Sequence, residues 1–185
     1  MSILINGIGV SSGIAIGEAY VYSREQKEVN AYKITETQRN KEIQRFKKAL
    51  AKAGEQLHEI KNKIDADTPA NILAFIDTHL LMLEDPTFDE GTVANIKKFS
   101  CNAEWALLLQ SNRLVKVFDE MEDPYLRTRK DDVLHVVRRI QDCLAEAPDH
   151  IPDGQQLKGC IIIADDLTPA DTLVMQHQKI AGFVP

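Results

Sequence analysis

The sequence predicts a mainly α protein in which a bundle of about four helices, with a long hairpin, is inserted into a partial α/β domain. Three observations lead to this. Segments rich in Ile and Val and punctuated by Gly stand near both ends of the 185 residues. Between them the apolar positions switch to spacings of three and four. The helix-start signals in that middle block leave only short connections, which make neighbouring helices antiparallel. Residues 1–30 and 145–185 are assigned to the α/β part, and 31–144 to the helical part.

Residues 3–22 carry Gly7, Gly9, Gly13 and Gly17 among Ile, Val and Tyr, and read as short strands joined by turns. Thr35 and Gln38 fit a capping box, so a helix begins there. Its seam is Ile43, Phe46, Leu50, Ala53, Leu57, Ile60 and Ile64. Thr68 and Pro69 start the next helix, which runs to about Leu83 before Asp85 and Pro86 interrupt it. Phe88, Val93, Ile96 and Phe99 mark a shorter third helix. Ser100 or Asn102 can cap a fourth, which carries Trp105, Leu109, Phe118 and Met121. It meets a kink or break at Asp123 and Pro124 and resumes through Val133 to Leu144. Residues 145–154 form a linker. Strand character returns at Cys160–Ile163, a helix starts at Thr168-Pro169, and Ile180–Val184 is a last strand in which the sequence ends. An open sheet ending there would lack partners, so a truncation is expected.

A net charge of −6 argues against a general nucleic-acid binder and favours a basic protein partner. No apolar run is long enough for a membrane span and no basic leader precedes the first apolar stretch, so a cytoplasmic protein is expected. Cys101, Cys143 and Cys160 are odd in number and far apart, and read as reduced packing residues. His58, His135 and His150 show no carboxylate or Cys partner at ligand spacing, so no metal site is expected. No P-loop, dinucleotide fingerprint or nucleophilic triad is present.

The stretch between Lys63 and Lys97 contains no Lys or Arg, whereas Asp65, Asp67, Asp77, Glu84, Asp85, Asp89 and Glu90 are all acidic. A solvated helix face would carry such charges; so would a surface that steers a basic partner, provided apolar anchors lie inside the charged rim. Arg127, Arg129 and Lys130 are flanked by Asp123, Asp131 and Asp132, which favours salt bridges within the bundle, with Arg129 as the exception.

Three segments carry a family resemblance. They are Gly7-Ile8-Gly9-Val10-Ser11-Ser12-Gly13-Ile14-Ala15-Ile16-Gly17, then His79-Leu80-Leu81-Met82-Leu83-Glu84-Asp85-Pro86, and Ala164-Asp165-Asp166-Leu167-Thr168-Pro169-Ala170-Asp171-Thr172 followed by Ala181-Gly182-Phe183. In order and spacing they resemble Enzyme I of the bacterial phosphotransferase system, which usually has Pro where Ser12 stands. The resemblance implies that the outer segments belong to a swivelling phosphohistidine domain and the helices to a carrier-binding domain. It implies phosphoryl transfer from phosphoenolpyruvate to a histidine and on to HPr, the small histidine-containing phosphocarrier, or to a paralogous carrier. That histidine is expected beyond Pro185, so residues 1–185 alone are expected to be inactive, with no cofactor of their own. Magnesium and homodimer formation are expected of a C-terminal domain in the longer parent.

By position, the resemblance implies a partner-binding face of His79, Leu81, Met82, Glu84, Asp85, Phe88, Phe118, Leu126 and Arg129. Thr172 matches a threonine that orients the phosphorylatable imidazole; otherwise it is an ordinary first-turn hydroxyl. His79 is either a functional neighbour of the docking surface or a hydrogen-bonded packing residue. Two alternatives stay open: an Enzyme I paralogue of the nitrogen-related branch, and a non-catalytic helical adaptor.

Overall fold

The computed structural model describes residues 7–9, 11–22, 29–64, 68–145, 157–164 and 167–184, with backbone alone at Gln176 and His177. Its elements are β1 (Ala19–Tyr22), α1 (Glu36–Asn62), α2 (Ala70–Glu84), α3 (Pro86–Phe99), α4 (Ala103–Asp119), α5 (Pro124–Leu144), β2 (Ile161–Ala164), α6 (Pro169–His177) and β3 (Gly182–Val184). The chain is mainly helical, with a small sheet, as the patterning predicts.

Local chemistry sets the helix ends. At the start of α1 the Gln38 side chain accepts from the Thr35 N–H at 2.9 Å, as the capping box requires. The helical block contains five helices rather than about four, because of the two outcomes expected at Pro124, a kink or a break, the chain takes the break. Asp123 caps a new helix there, accepting from the Tyr125 N–H at 2.8 Å, and Pro124 occupies the first turn, where its missing donor costs nothing. Helix α2 starts one residue later than expected, with Pro69 rather than Thr68 at the cap. Of the described residues in the expected strand region 3–22, only Ala19–Tyr22 form a strand, and of the expected linker 145–154 only Ala145 is described.

The α1 seam packs as its spacing predicts. Ile43, Phe46, Ala53 and Leu57 are buried, and Leu50, Ile60 and Ile64 pack against the same core. Phe46, Leu57, Ile76, Ile96, Leu107 and Ile140 are almost fully enclosed. Each such side chain contributes roughly 1.5–3 kcal/mol of transfer free energy.

The strands are parallel in the order β1-β2-β3, with Ala19 opposite Ile161 and Ile161 opposite Gly182. Residues before and after the helical block therefore pair directly. Gly17 lies so close to the Gly159 carbonyl that a Cβ there would overlap it. Helix α6 joins sheet and bundle, since Leu173 belongs to the helical core while Met175 packs with Tyr22, Leu157 and Ile162. Its start is a second capping box: the Asp171 carboxylate accepts from the Thr168 N–H at 2.8 Å and from its hydroxyl at 2.6 Å. Val21, Ile163 and Val184 share one register row of the sheet, and all three are exposed.

The segment leading into α1 is pinned by Asn102, the N-cap of α4, which is 1% exposed. Its Oδ1 accepts from the Tyr32 N–H at 3.1 Å, and its Nδ2 donates to the Asn30 carbonyl at 3.1 Å and to Glu104 Oε2 at 2.9 Å. The expected capping role is thus replaced by a long-range one. Truncating this amide strands buried partners on two segments, and each orphaned group costs about 1–3 kcal/mol. Asn102→Ala is expected to destabilise the fold by about 2–3 kcal/mol in urea titrations, with Asn102→Asp intermediate.

Candidate partner-binding surface

The end of α2 divides its residues by depth. His79, Leu80 and Leu83 face the core, Met82 is half-buried against it, and Leu81 is 68% exposed. Glu84 and Asp85 follow in solvent. Asp85 is more than a rim charge. It ends α2 and caps α3, accepting from the Thr87 N–H at 2.7 Å, and the hydrogen bonds from Thr87 hold its carboxyl below the usual range.

Phe88 differs from the expectation of a surface anchor. It is 3% exposed and belongs to the helical core, because Asp85 and Pro86 set the phase of α3 so that Phe88, Thr92 and Ile96 all turn inward. Phe118 is half-buried near the end of α4 and packs against the core. Leu126 is 40% and Tyr125 61% exposed in the first turn of α5. Thr172 is half-buried in α6, where its hydroxyl donates to the Pro169 carbonyl at 2.8 Å in an ordinary first-turn bond.

Arg129 is not the unpaired cation expected of it. Its Nη1 donates to Asp132 Oδ2 at 2.9 Å, its Nη2 donates to the Tyr125 hydroxyl, and the guanidinium lies 4.7 Å above the Tyr125 ring. Those partners hold its charge firmly, raising its pKa. The acidic stretch is also thinner than its sequence implies. Lys61 of α1 pairs with Asp77 at 2.6 Å, and Lys47 of α1 with Asp89 at 3.3 Å. Among the described residues no ion pair engages Glu84, Asp85 or Glu90.

Beneath this face lies a polar cluster that the sequence reading missed. His79 is 3% and Asp132 9% exposed, and the His79 Nε2 stands 3.5 Å from Asp132 Oδ1. The His135 ring centroid is 6.0 Å from that of His79, and Phe75 lies against His79 at 4.0 Å. Asp132 and His135 are three residues apart on α5 and so share a face. That Asp-x-x-His spacing was visible in the sequence; the meeting with His79 across two helices was not. Burial dominates the His79 imidazole and lowers its pKa to about 4, although Asp132 pulls the other way.

The comparisons agree with this architecture. Residues 6–129 match the family model described as PEP-utilising enzyme, N-terminal. The chain belongs to that family. It is 37% identical to the phosphoenolpyruvate-protein phosphotransferase of Cupriavidus necator, over 100% of this chain and 33% of that protein. To the same-named protein of Bacillus subtilis it is 32% identical, over 97% and 31% respectively. The chain therefore spans about a third of the length of these curated relatives. A solution structure of Enzyme I (nEIt) superposes with a TM-score of 0.79 at 32% identity, covering 94% of this chain and 69% of that one. The N-terminal domain of Enzyme 1 - Nitrogen shares the fold, with a TM-score of 0.68 at 20% identity over 92% and 69%. No helix among the described residues is long and apolar enough to cross a membrane.

The buried His79 gives a pH signature. Its folded pKa of about 4 lies below the ordinary value of about 6.5, so the unfolded chain takes up a proton that the native chain refuses. Its contribution to stability is complete above about pH 6.5 and drains away as pH falls toward 4, by on the order of 3 kcal/mol at most. In metal-free buffer, His79→Gln should flatten this slope in chemical denaturation; an unchanged slope would assign it to other groups.

Proposed function

We propose that this chain is the carrier-docking part of a phosphoenolpyruvate-protein phosphotransferase, and that it binds HPr or a paralogous phosphocarrier through the end of α2 and the first turn of α5. The observation that carries this reading is the exposure of Leu81 at 68% beside the carboxylates of Glu84 and Asp85, on a helix whose opposite face is core. An exposed apolar anchor inside an acidic rim suits a basic partner with its own apolar patch. Leu126 and Tyr125, exposed in the first turn of α5, are assigned to the same surface, and His79 faces Asp132 where the two helices meet.

In the whole enzyme the phosphoryl group passes from phosphoenolpyruvate to a histidine and then to the carrier. Residues 1–185 contain no Gly-Gly-x-x-Ser/Thr-His motif, so they supply the docking surface and not the phosphorylated imidazole. We assign the exposed Val21, Ile163 and Val184 row to contact with further parts of such an enzyme, which also hold magnesium and the dimer contact in the cytoplasm. The division into a helical unit over 31–144 and an α/β unit from 1–30 and 145–185 belongs to this reading.

Two outcomes test it. Titrating isotope-labelled HPr with the 185-residue protein should shift carrier resonances, more weakly at high salt because the rim charges are screened over about 10 Å at 0.1 M. Leu81→Ala should weaken binding by about 1–2 kcal/mol without unfolding. Phe88→Ala should instead cost about 3–5 kcal/mol of stability. If neither carrier binds at millimolar concentration, the docking assignment is wrong. Incubation with phosphoenolpyruvate and magnesium should leave all five histidines unmodified by mass.

A further inference from the structure

We propose that His79, Asp132 and His135 form a binding site for one divalent cation of the zinc class, with the remaining position left to water. One ligand atom from each of the three lies within 4.8 Å of the others. His79 comes from α2, and Asp132 and His135 come from one face of α5, so the site bridges two helices. Two imidazoles and a carboxylate are a donor set that zinc accepts, with open positions filled by water.

The geometry is close to what an ion requires. Zinc bonds of about 2.0–2.1 Å in a tetrahedron place ligand atoms about 3.3 Å apart. His79 Nε2 and Asp132 Oδ1 already stand 3.5 Å apart, and only His135 has to draw in. At 3.5 Å that pair is long for a hydrogen bond, and His79 Nε2 makes none although its residue is 3% exposed. A buried imidazole nitrogen that faces a carboxylate oxygen without a hydrogen bond between them is the feature an ion would satisfy.

The surroundings orient the donors. Arg129 holds Asp132 Oδ2 at 2.9 Å, which leaves Oδ1 toward His79, in the manner of an outer-shell partner. The Phe75 ring, 4.0 Å from that of His79, restrains the imidazole plane and supplies an apolar wall. The Arg129 charge opposes a dication, so micromolar affinity is expected and not the tighter binding of a structural zinc site. The proposal does not depend on the carrier-docking reading; its test involves neither carrier nor phosphate.

The test loads the chelator-treated, reduced 185-residue protein with Co2+ and, separately, with Zn2+. One equivalent of Co2+ should give visible d–d absorption without a thiolate charge-transfer band. Zn2+ should bind one to one in equilibrium dialysis and raise the melting temperature. His135→Ala, at a half-buried position, should lose at least tenfold in affinity while keeping the wild-type circular dichroism spectrum. Failure of the wild-type protein to bind at micromolar ion, a thiolate band assigning the ion to cysteine, or unchanged binding in folded His135→Ala would each overturn the site. If His135→Ala does not fold, the wild-type Co2+ spectrum and stoichiometry decide alone.

Discussion

The parallel ladder between Ala19–Tyr22 and Ile161–Ala164 is the constraint around which the rest of the chain is arranged. Parallel strands cannot be joined by a tight turn, and here the crossover includes the whole helical block. The helices that leave and return must therefore be held together. Arg45 on α1 does this, donating to the Leu144 carbonyl at the end of α5 at 3.2 Å while pairing with Glu42 at 2.7 Å and Glu104 at 2.6 Å. Glu42 in turn accepts from the Ala103 N–H at 2.8 Å, capping α4 from a different helix. Burial alone would raise the Glu104 pKa; Arg45 and Asn102 outweigh it and keep the carboxylate charged. One polar network thus ties α1 to the first turn of α4 and the last residue of α5. Helix α6, with Leu173 in the helical core and Met175 packed with the sheet residues, joins the two cores.

Where α2 meets α5, the usual distribution of polarity is reversed. His79 and Asp132 are buried, while Leu81, Leu126 and Leu134 are exposed. Buried polar groups cost free energy unless satisfied, and exposed leucines contribute little to the monomer. The inversion places buried polar groups and exposed leucines in the same two helices, and both proposals above rest on that arrangement.

The helical block was legible because its signals are local. The Thr35–Gln38 box, the three-and-four spacing from Ile43 and the Asp-Pro pairs before α3 and α5 each act within a few residues. The strands at Cys160–Ile163 and Ile180–Val184 were visible by composition, with ends displaced by a residue or two. Phe88 was misjudged because its apolar character fits either an anchor or a core residue; the phase set by Asp85 and Pro86 decides between them. Arg129 and the acidic stretch were misjudged for different reasons: Asp132 lies on the same helix turn as Arg129 and was in view, whereas Lys47 and Lys61 reach the acidic residues from α1, across the bundle. The His79, Asp132 and His135 cluster was half legible. The spacing on α5 is in the sequence, whereas the third member arrives only through tertiary packing.

Asp85 closes α2 and opens α3 with no residue between them. Such a corner has no slack in chain length. One inserted residue would rotate everything after it by about 100° around the helix axis. The stripe of Phe88, Thr92 and Ile96 would then leave the core, and Thr87, Gly91 and Asn95 would take its places. Loops elsewhere in a bundle can absorb insertions at small cost. Here the number of residues is itself a structural parameter, and changes of length in this region must fall before Ala70 or after Phe99 to be tolerated.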